Sequence, residues 1–151
     1  MYGNNKKEVQ SKLTTIRWLP STVNKKLKVT TVNGVHKKLQ AISYELDTLP
    51  DHLKKYVDNP AGTFKWRKIR GTRRLSAHSF GIAIDINIRH SNYWRWDNPD
   101  PDSMQNYRNQ IPIEVILVFE KYGFIWGGKW YHYDTMHFEY RPELLYIDSL
   151  K

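Results

Sequence analysis

A chain of 151 residues, 40% apolar and with ten Tyr, six Trp and five Phe, is long enough for one domain with its own core, since a chain of this length buries roughly 70% of its unfolded surface. The absence of cysteine excludes disulfides and thiolate metal sites, so any metal must sit on His, Asp or Glu. A net charge of +9 and a pI near 9.7 point to a polyanionic partner such as a wall polymer, anionic lipid or nucleic acid, but no helix-turn-helix, zinc-finger or RNA-binding signature supports nucleic acid.

No apolar run approaches the roughly 20 residues of a membrane span, and residues 1–12 contain no apolar signal-peptide core. The chain is expected to be soluble and monomeric, with export through a leader outside this sequence or by another route.

Residues 1–16 are polar and basic and read as a flexible arm, with the domain occupying residues 17–151. Ile16, Trp18 and Leu19 would anchor the arm. Residues 27–32 alternate weakly and predict a short strand. Asn33 is the expected N-cap of a helix whose stripe is Val35, Leu39, Ile42 and Leu46, ended by Pro50. A shorter helical piece covers residues 51–57. Residues 63–69, rich in aromatic and β-branched side chains, predict a strand.

Residues 82–88 are the clearest strand. Ile82, Ile84, Ile86 and Ile88 face one way; Ala83, Asp85 and Asn87 face the other. The isoleucine face belongs on the core, and the small or acidic face suits a cavity. Residues 89–110 form a long irregular segment of the kind that is usually functional or mobile. Trp94 and Trp96 within it are either core filler or a substrate wall. Pro112 is expected at the first position of a helix over residues 113–122, closed by Gly123. Residues 124–126 and 129–133 predict a hairpin about Gly127-Gly128, and Met136, Phe138 and Tyr140 alternate with His137 and Glu139 in a last strand. The mixture predicts a small α+β domain whose antiparallel sheet carries the site, with helices packed on it.

His78, Asp85 and His137 form a candidate ligand set for one zinc ion, with a fourth position left for water. Asp134 precedes His137 by three residues, a spacing that would put the two on opposite faces of a strand. Both reach one metal only if the backbone bends at Asp134-Thr135. Asp134 would then act as base toward a zinc-activated water and as acid toward the leaving amine. A guanidinium would stabilise the negative charge of the tetrahedral intermediate. Arg67, Arg70, Arg73 and Arg74 lie just upstream, with Arg67 the first choice and Arg74 the second. His-x6-Asp alone is a loose pattern, and Asp85 could instead cap a strand or pair with an arginine. No base lies behind Ser76, so a serine nucleophile is not expected.

At these residues the sequence resembles the zinc D-alanyl-D-alanine peptidases of the M15 type. These comprise D,D-carboxypeptidases, D,D-dipeptidases and L-alanyl-D-glutamate endopeptidases. The pattern Ser-x-His-x-x-Gly-x-Ala-x-Asp is met by Ser76, His78, Gly81, Ala83 and Asp85, and the second by Asp134, His137 and Phe138. The resemblance implies zinc on His78, Asp85 and His137, Asp134 as base, Ser76 in substrate binding and an upstream arginine in the transition state. It also implies a hedgehog-like α+β fold and a peptidoglycan stem peptide as substrate. D-alanyl-D-alanine carboxypeptidase activity is the expected function, with L-alanyl-D-glutamate endopeptidase as the alternative. A non-catalytic zinc-bearing wall-binding module is the rival from another class. The expected place of action is the periplasm or cell envelope, or the wall reached by a phage endolysin.

Overall fold

Asn5 opens the first helix of the computed structural model, which describes residues 1–100, 102 and 106–148. Its side chain accepts the Glu8 N–H, and α1 (Lys6–Ser11) buries Val9 completely. β1 (Leu13–Trp18) follows and pairs antiparallel with β2 (Lys25–Thr30), Leu13 opposite Thr30 and Trp18 opposite Lys25. Residues 1–16 are therefore not a loose arm. A capped helix and the first four residues of a strand lie within them, tied to the core by Val9 and Ile16, too few apolar residues to show as a periodic stripe. Trp18 is fully buried, and its indole N–H donates to the Val57 carbonyl at 2.8 Å, so its one polar atom is satisfied.

α2 (Val35–Asp47) buries Val35, Leu39, Ile42 and Leu46, the stripe its sequence spacing predicts. Gly34 occupies the N-cap, and Asn33 is left-handed at φ 56° with its amide donated to the Tyr2 hydroxyl. Asn33 is thus not the cap; the tight turn before the helix takes it instead. α3 (Asp51–Lys54) is the short helical piece that follows.

Residues 63–69 form no regular strand. They fold back on residues 74–79 as an irregular ribbon, with Lys65 N–H to the His78 carbonyl, Ser76 N–H to the Arg67 carbonyl and Ile69 N–H to the Arg74 carbonyl. β-rich composition gave extended backbone here, but the ladder is reduced to one bridge, Lys68 with Leu75.

β3 (Ala83–Asp85) is shorter than its sequence suggests. Ile82, Ile84 and Ile86 are buried, whereas Ile88 is 47% exposed. Asn87 ends the extended run by capping a 3-10 turn over Ile88–His90, which swings Ile88 outward. Within the irregular segment 89–110, α4 (Trp94–Asp97) is a single turn; residues 101 and 103–105 of that segment lie outside the described residues. α5 (Ile113–Lys121) has Pro112 as its N-cap rather than its first helical residue, and Gly123 at φ 87° closes it.

β4 (Phe124–Trp126) pairs with β5 (His137–Tyr140), and β5 also pairs with β3, giving an antiparallel sheet in the order β3-β5-β4. Residues 129–133 are not a strand. Gly127-Gly128 starts a 3-10 turn, and the true partner of β4 lies eleven residues beyond it. α6 (Pro142–Asp148) follows β5. Phe119 of α5 stacks on Phe138 of β5 with ring centroids 3.8 Å apart, each ring contributing about 1.5–3 kcal/mol by burial. The two sheets meet at Gly81, whose carbonyl accepts the Thr30 N–H. Gly81 sits at φ 68°, and a Cβ there would lie 2.7 Å from Leu13, so both conformation and space require glycine. The architecture is the small α+β domain expected. Among the described residues no helix is long and apolar enough to cross a membrane.

Candidate metal centre

The register of the three-stranded sheet sets Asp85 of β3 directly opposite His137 of β5. Alternation turns Ile84 and Phe138 into the core, so the two polar neighbours emerge together on the other face. His78 arrives from a 3-10 turn over Ala77–Phe80, where the Ser76 hydroxyl caps the His78 N–H and Gly81 ends the turn. Ligand atoms of His78, Asp85 and His137 all lie within 4.8 Å of one another.

Hydrogen bonds pre-set the histidines. His78 Nδ1 lies 2.6 Å from the Thr63 carbonyl. A carbonyl can only accept, so Nδ1 carries the proton and Nε2 presents its lone pair to the cluster. That Nε2 is buried and lacks a hydrogen-bond partner among the described residues; it is 3.1 Å from Asp85 Oδ2, without hydrogen-bond geometry. His137 Nδ1 lies 3.0 Å from Asp85 Oδ1, and its Nε2 lies 3.3 Å from Glu139 Oε1. Burial works against charge on His137, but the two carboxylates override it and hold the imidazole up to about 10. Burial likewise opposes ionisation of Asp85, and the hydrogen bond to His137, with His78 close by, pushes it the other way, well below the usual carboxylate range. With Nε2–H donated to Glu139, a neutral His137 turns Nδ1 toward the other ligands. The donor set of two imidazoles and one carboxylate, with one orphaned nitrogen, fits a zinc site with an open position.

Asp134 is brought in by a turn. His137 N–H bonds the Asp134 carbonyl at 3.2 Å, Asp134 N–H bonds the Gly127 carbonyl at 3.0 Å, and Asp134 bridges Tyr93. The bend that the three-residue spacing demanded lies at Thr135-Met136. Thr135 anchors it: its hydroxyl accepts the Asn92 N–H and its own N–H bonds the Asn92 carbonyl. Asp134 Oδ1 is buried without a partner among the described residues. Burial is the largest influence on it, and its carboxyl is pushed up to about 6.

The site opens into a cavity of about 1490 Å³ lined by Asp85, Asp134 and His137, by Trp94, Trp96 and Trp130, and by Arg67 and Arg74 among others. Arg67 is close enough for its charge to act on Asp134. Trp96 is 56% exposed and is not core filler; Trp94 stacks on His132 with ring centroids 4.0 Å apart. Ser76 lines the same cavity, but its hydroxyl already caps the His78 turn.

Residues 70–140, just short of half the chain, match the M15-type peptidase family described as D-alanyl-D-alanine carboxypeptidase. Over this segment the chain is similar to the M15 peptidases. No curated protein matches the chain at a significant level. M15 peptidases are zinc-dependent in general, and the matched segment contains all of His78, Asp85, Asp134 and His137. Two supporting groups escaped the sequence reading: the Thr63 carbonyl and Glu139. Nothing in a sequence marks a backbone carbonyl. Glu139 was placed on the face of His137 by alternation, a signal that was available and pointed to a contact.

Proposed function

We propose that the chain is a zinc peptidase that hydrolyses a peptide bond in peptidoglycan stem peptides at the cell envelope, the terminal D-alanyl-D-alanine bond being the first choice. One observation carries this reading: the unpartnered Asp134 carboxylate stands beside the convergent His78, Asp85 and His137. A non-catalytic zinc module has no use for a buried carboxylate held there at the cost of its own desolvation.

A zinc ion on His78, Asp85 and His137 supplies Lewis acidity, which lowers the pKa of water from 15.7 to about 7 and polarises a carbonyl. Asp134 accepts the proton of the attacking water at Oδ1 and returns it to the leaving nitrogen. Its raised pKa suits both halves of that shuttle. Arg67, on the cavity wall, stabilises the negative charge developing on the carbonyl oxygen; its influence on Asp134 favours it over Arg74. Trp94 and Trp96 provide a wall for the peptide, and Ser76 a polar contact near His78.

A second reading, cleavage of the L-alanyl-D-glutamate bond, draws on the cavity. At about 1490 Å³ it is larger than a terminal dipeptide needs, since pockets for small ligands run roughly 300–1,000 Å³. Mass spectrometry of purified wall fragments separates the two. Loss of one terminal alanine supports the carboxypeptidase, release of the stem from D-glutamate onward with L-alanine left behind supports the endopeptidase, and unchanged fragments contradict both.

A further inference from the structure

Residues 65–74 carry six cations and no acid. The ribbon they form divides these cations. Arg67, Arg70 and Arg74 line the large cavity with Asp134 and His137; Lys65 lines a smaller one against His78 and Asp85, and Lys68 and Arg73 line neither. Some cations elsewhere are committed: Arg141 pairs with Glu143 at 2.5 Å, Lys121 with Glu45 at 2.6 Å, and Lys129 with Glu120. Among the described residues no carboxylate lies within ion-pair distance of Arg67, Arg70 or Arg74. Bonds from Lys65 and Arg67 to residues 76–79 tie the base of the ribbon next to His78, and the Ile69 N–H to the Arg74 carbonyl closes the turn at its tip, which carries Arg70 and Arg74. Three like charges on one short ribbon lining one cavity favour an anion among them.

We propose that Arg70 and Arg74, beside Arg67, form a subsite for a carboxylate of the peptide substrate, distinct from the bond that is cut. The inference rests on the peptidase reading and adds a charge requirement to it. Guanidinium groups match carboxylates in paired, parallel hydrogen bonds. Because the three arginines share the cavity with Asp134, an anion they hold belongs to the molecule being cleaved. A phosphodiester polymer binding the surface would use Lys68 and Arg73 equally.

The pair Arg70→Glu and Arg73→Glu tests this. Both change net charge by the same amount and sit three residues apart, but only Arg70 lines the cavity. Each is made in the wild type, to read kcat/KM, and in zinc-loaded Asp134→Asn, to read binding by calorimetry with no turnover. The probes are a synthetic stem peptide with free carboxylates and its fully amidated analogue. The subsite predicts that Arg70→Glu weakens binding and kcat/KM for the free peptide about ten- to a hundredfold, while Arg73→Glu changes them less than about twofold, the modest effect of a solvated charge away from the contact. The amidated peptide should bind the wild type more weakly and respond to neither variant. Equal effects of the two variants, or equal binding of the two peptides, overturn the subsite while leaving the peptidase standing. Failure of the wild type to cleave either peptide removes the peptidase reading and the subsite with it.

Discussion

Burial holds the Asp134 carboxyl at about 6, above its ordinary 3.8, and so sets stability against function at one residue. The folded chain binds this proton more tightly than the unfolded chain. Stability therefore falls as pH rises from about 4 to 6 and stays reduced above that. Two units correspond to about 3 kcal/mol as an upper figure. Metal-free Asp134→Asn should accordingly be more stable than metal-free wild type at pH 7, and the gap should close below about pH 4. Urea melts at the two pH values measure it; a variant less stable at pH 7 contradicts the burial of an unpaired carboxylate. A bound dication favours the ionised form, so the acid limb of peptidase activity should lie at or below pH 6. Glu139 acts on the same site through His137 Nε2. Removing such a supporting carboxylate typically costs 10–100-fold in metal affinity. Glu139→Ala should lose that much in chelator competition, and Glu139→Gln, which keeps an acceptor oxygen, should recover most of it. Equal affinity in Glu139→Ala and wild type would leave His137 oriented by something else.

The elements explain which parts of the site were legible in advance. Alternation along β3 and β5 is a period-two signal, and it put Asp85 and His137 on one face before any pairing was known. The odd spacing of Asp134 and His137 demanded a bend, and a turn stands there. Residues 63–69 and 129–133 have the composition of strands but form none, because composition reports extended backbone, not its partner. β4 finds its partner in β5, across the loop that delivers Asp134. Asn33, Ile88 and Pro112 were each displaced by one local cap or turn that periodicity does not see. The junction at Gly127 shows how tightly that loop is fitted. A Cβ there would lie 2.6 Å from the Asp134 carbonyl oxygen and 3.3 Å from His137 Cβ. Gly127→Ala should cost about 1–3 kcal/mol and lower kcat more than it raises KM, because it shifts the base relative to the ligands. An unchanged melt with unchanged kcat would mean that the turn yields freely.

At the scale of the whole molecule, two small sheets and α2 build a rigid wall behind a cavity. The polar lining of the cavity includes the candidate ligands Asp85 and His137, the candidate base Asp134 and the ribbon arginines Arg67, Arg70 and Arg74, and His78 converges with the two ligands. The net charge of +9 is concentrated in part on that ribbon, next to the metal centre rather than spread evenly. Metal content and stem-peptide cleavage, measured together for wild type, Asp134→Asn and His137→Ala, test the assignment most directly. The wild type should hold one zinc per chain and cleave. Asp134→Asn should hold the same zinc with turnover reduced about 10²–10⁴-fold, and His137→Ala should lose both. A wild type without zinc, or a His137→Ala variant that keeps its metal and its activity, would contradict the site.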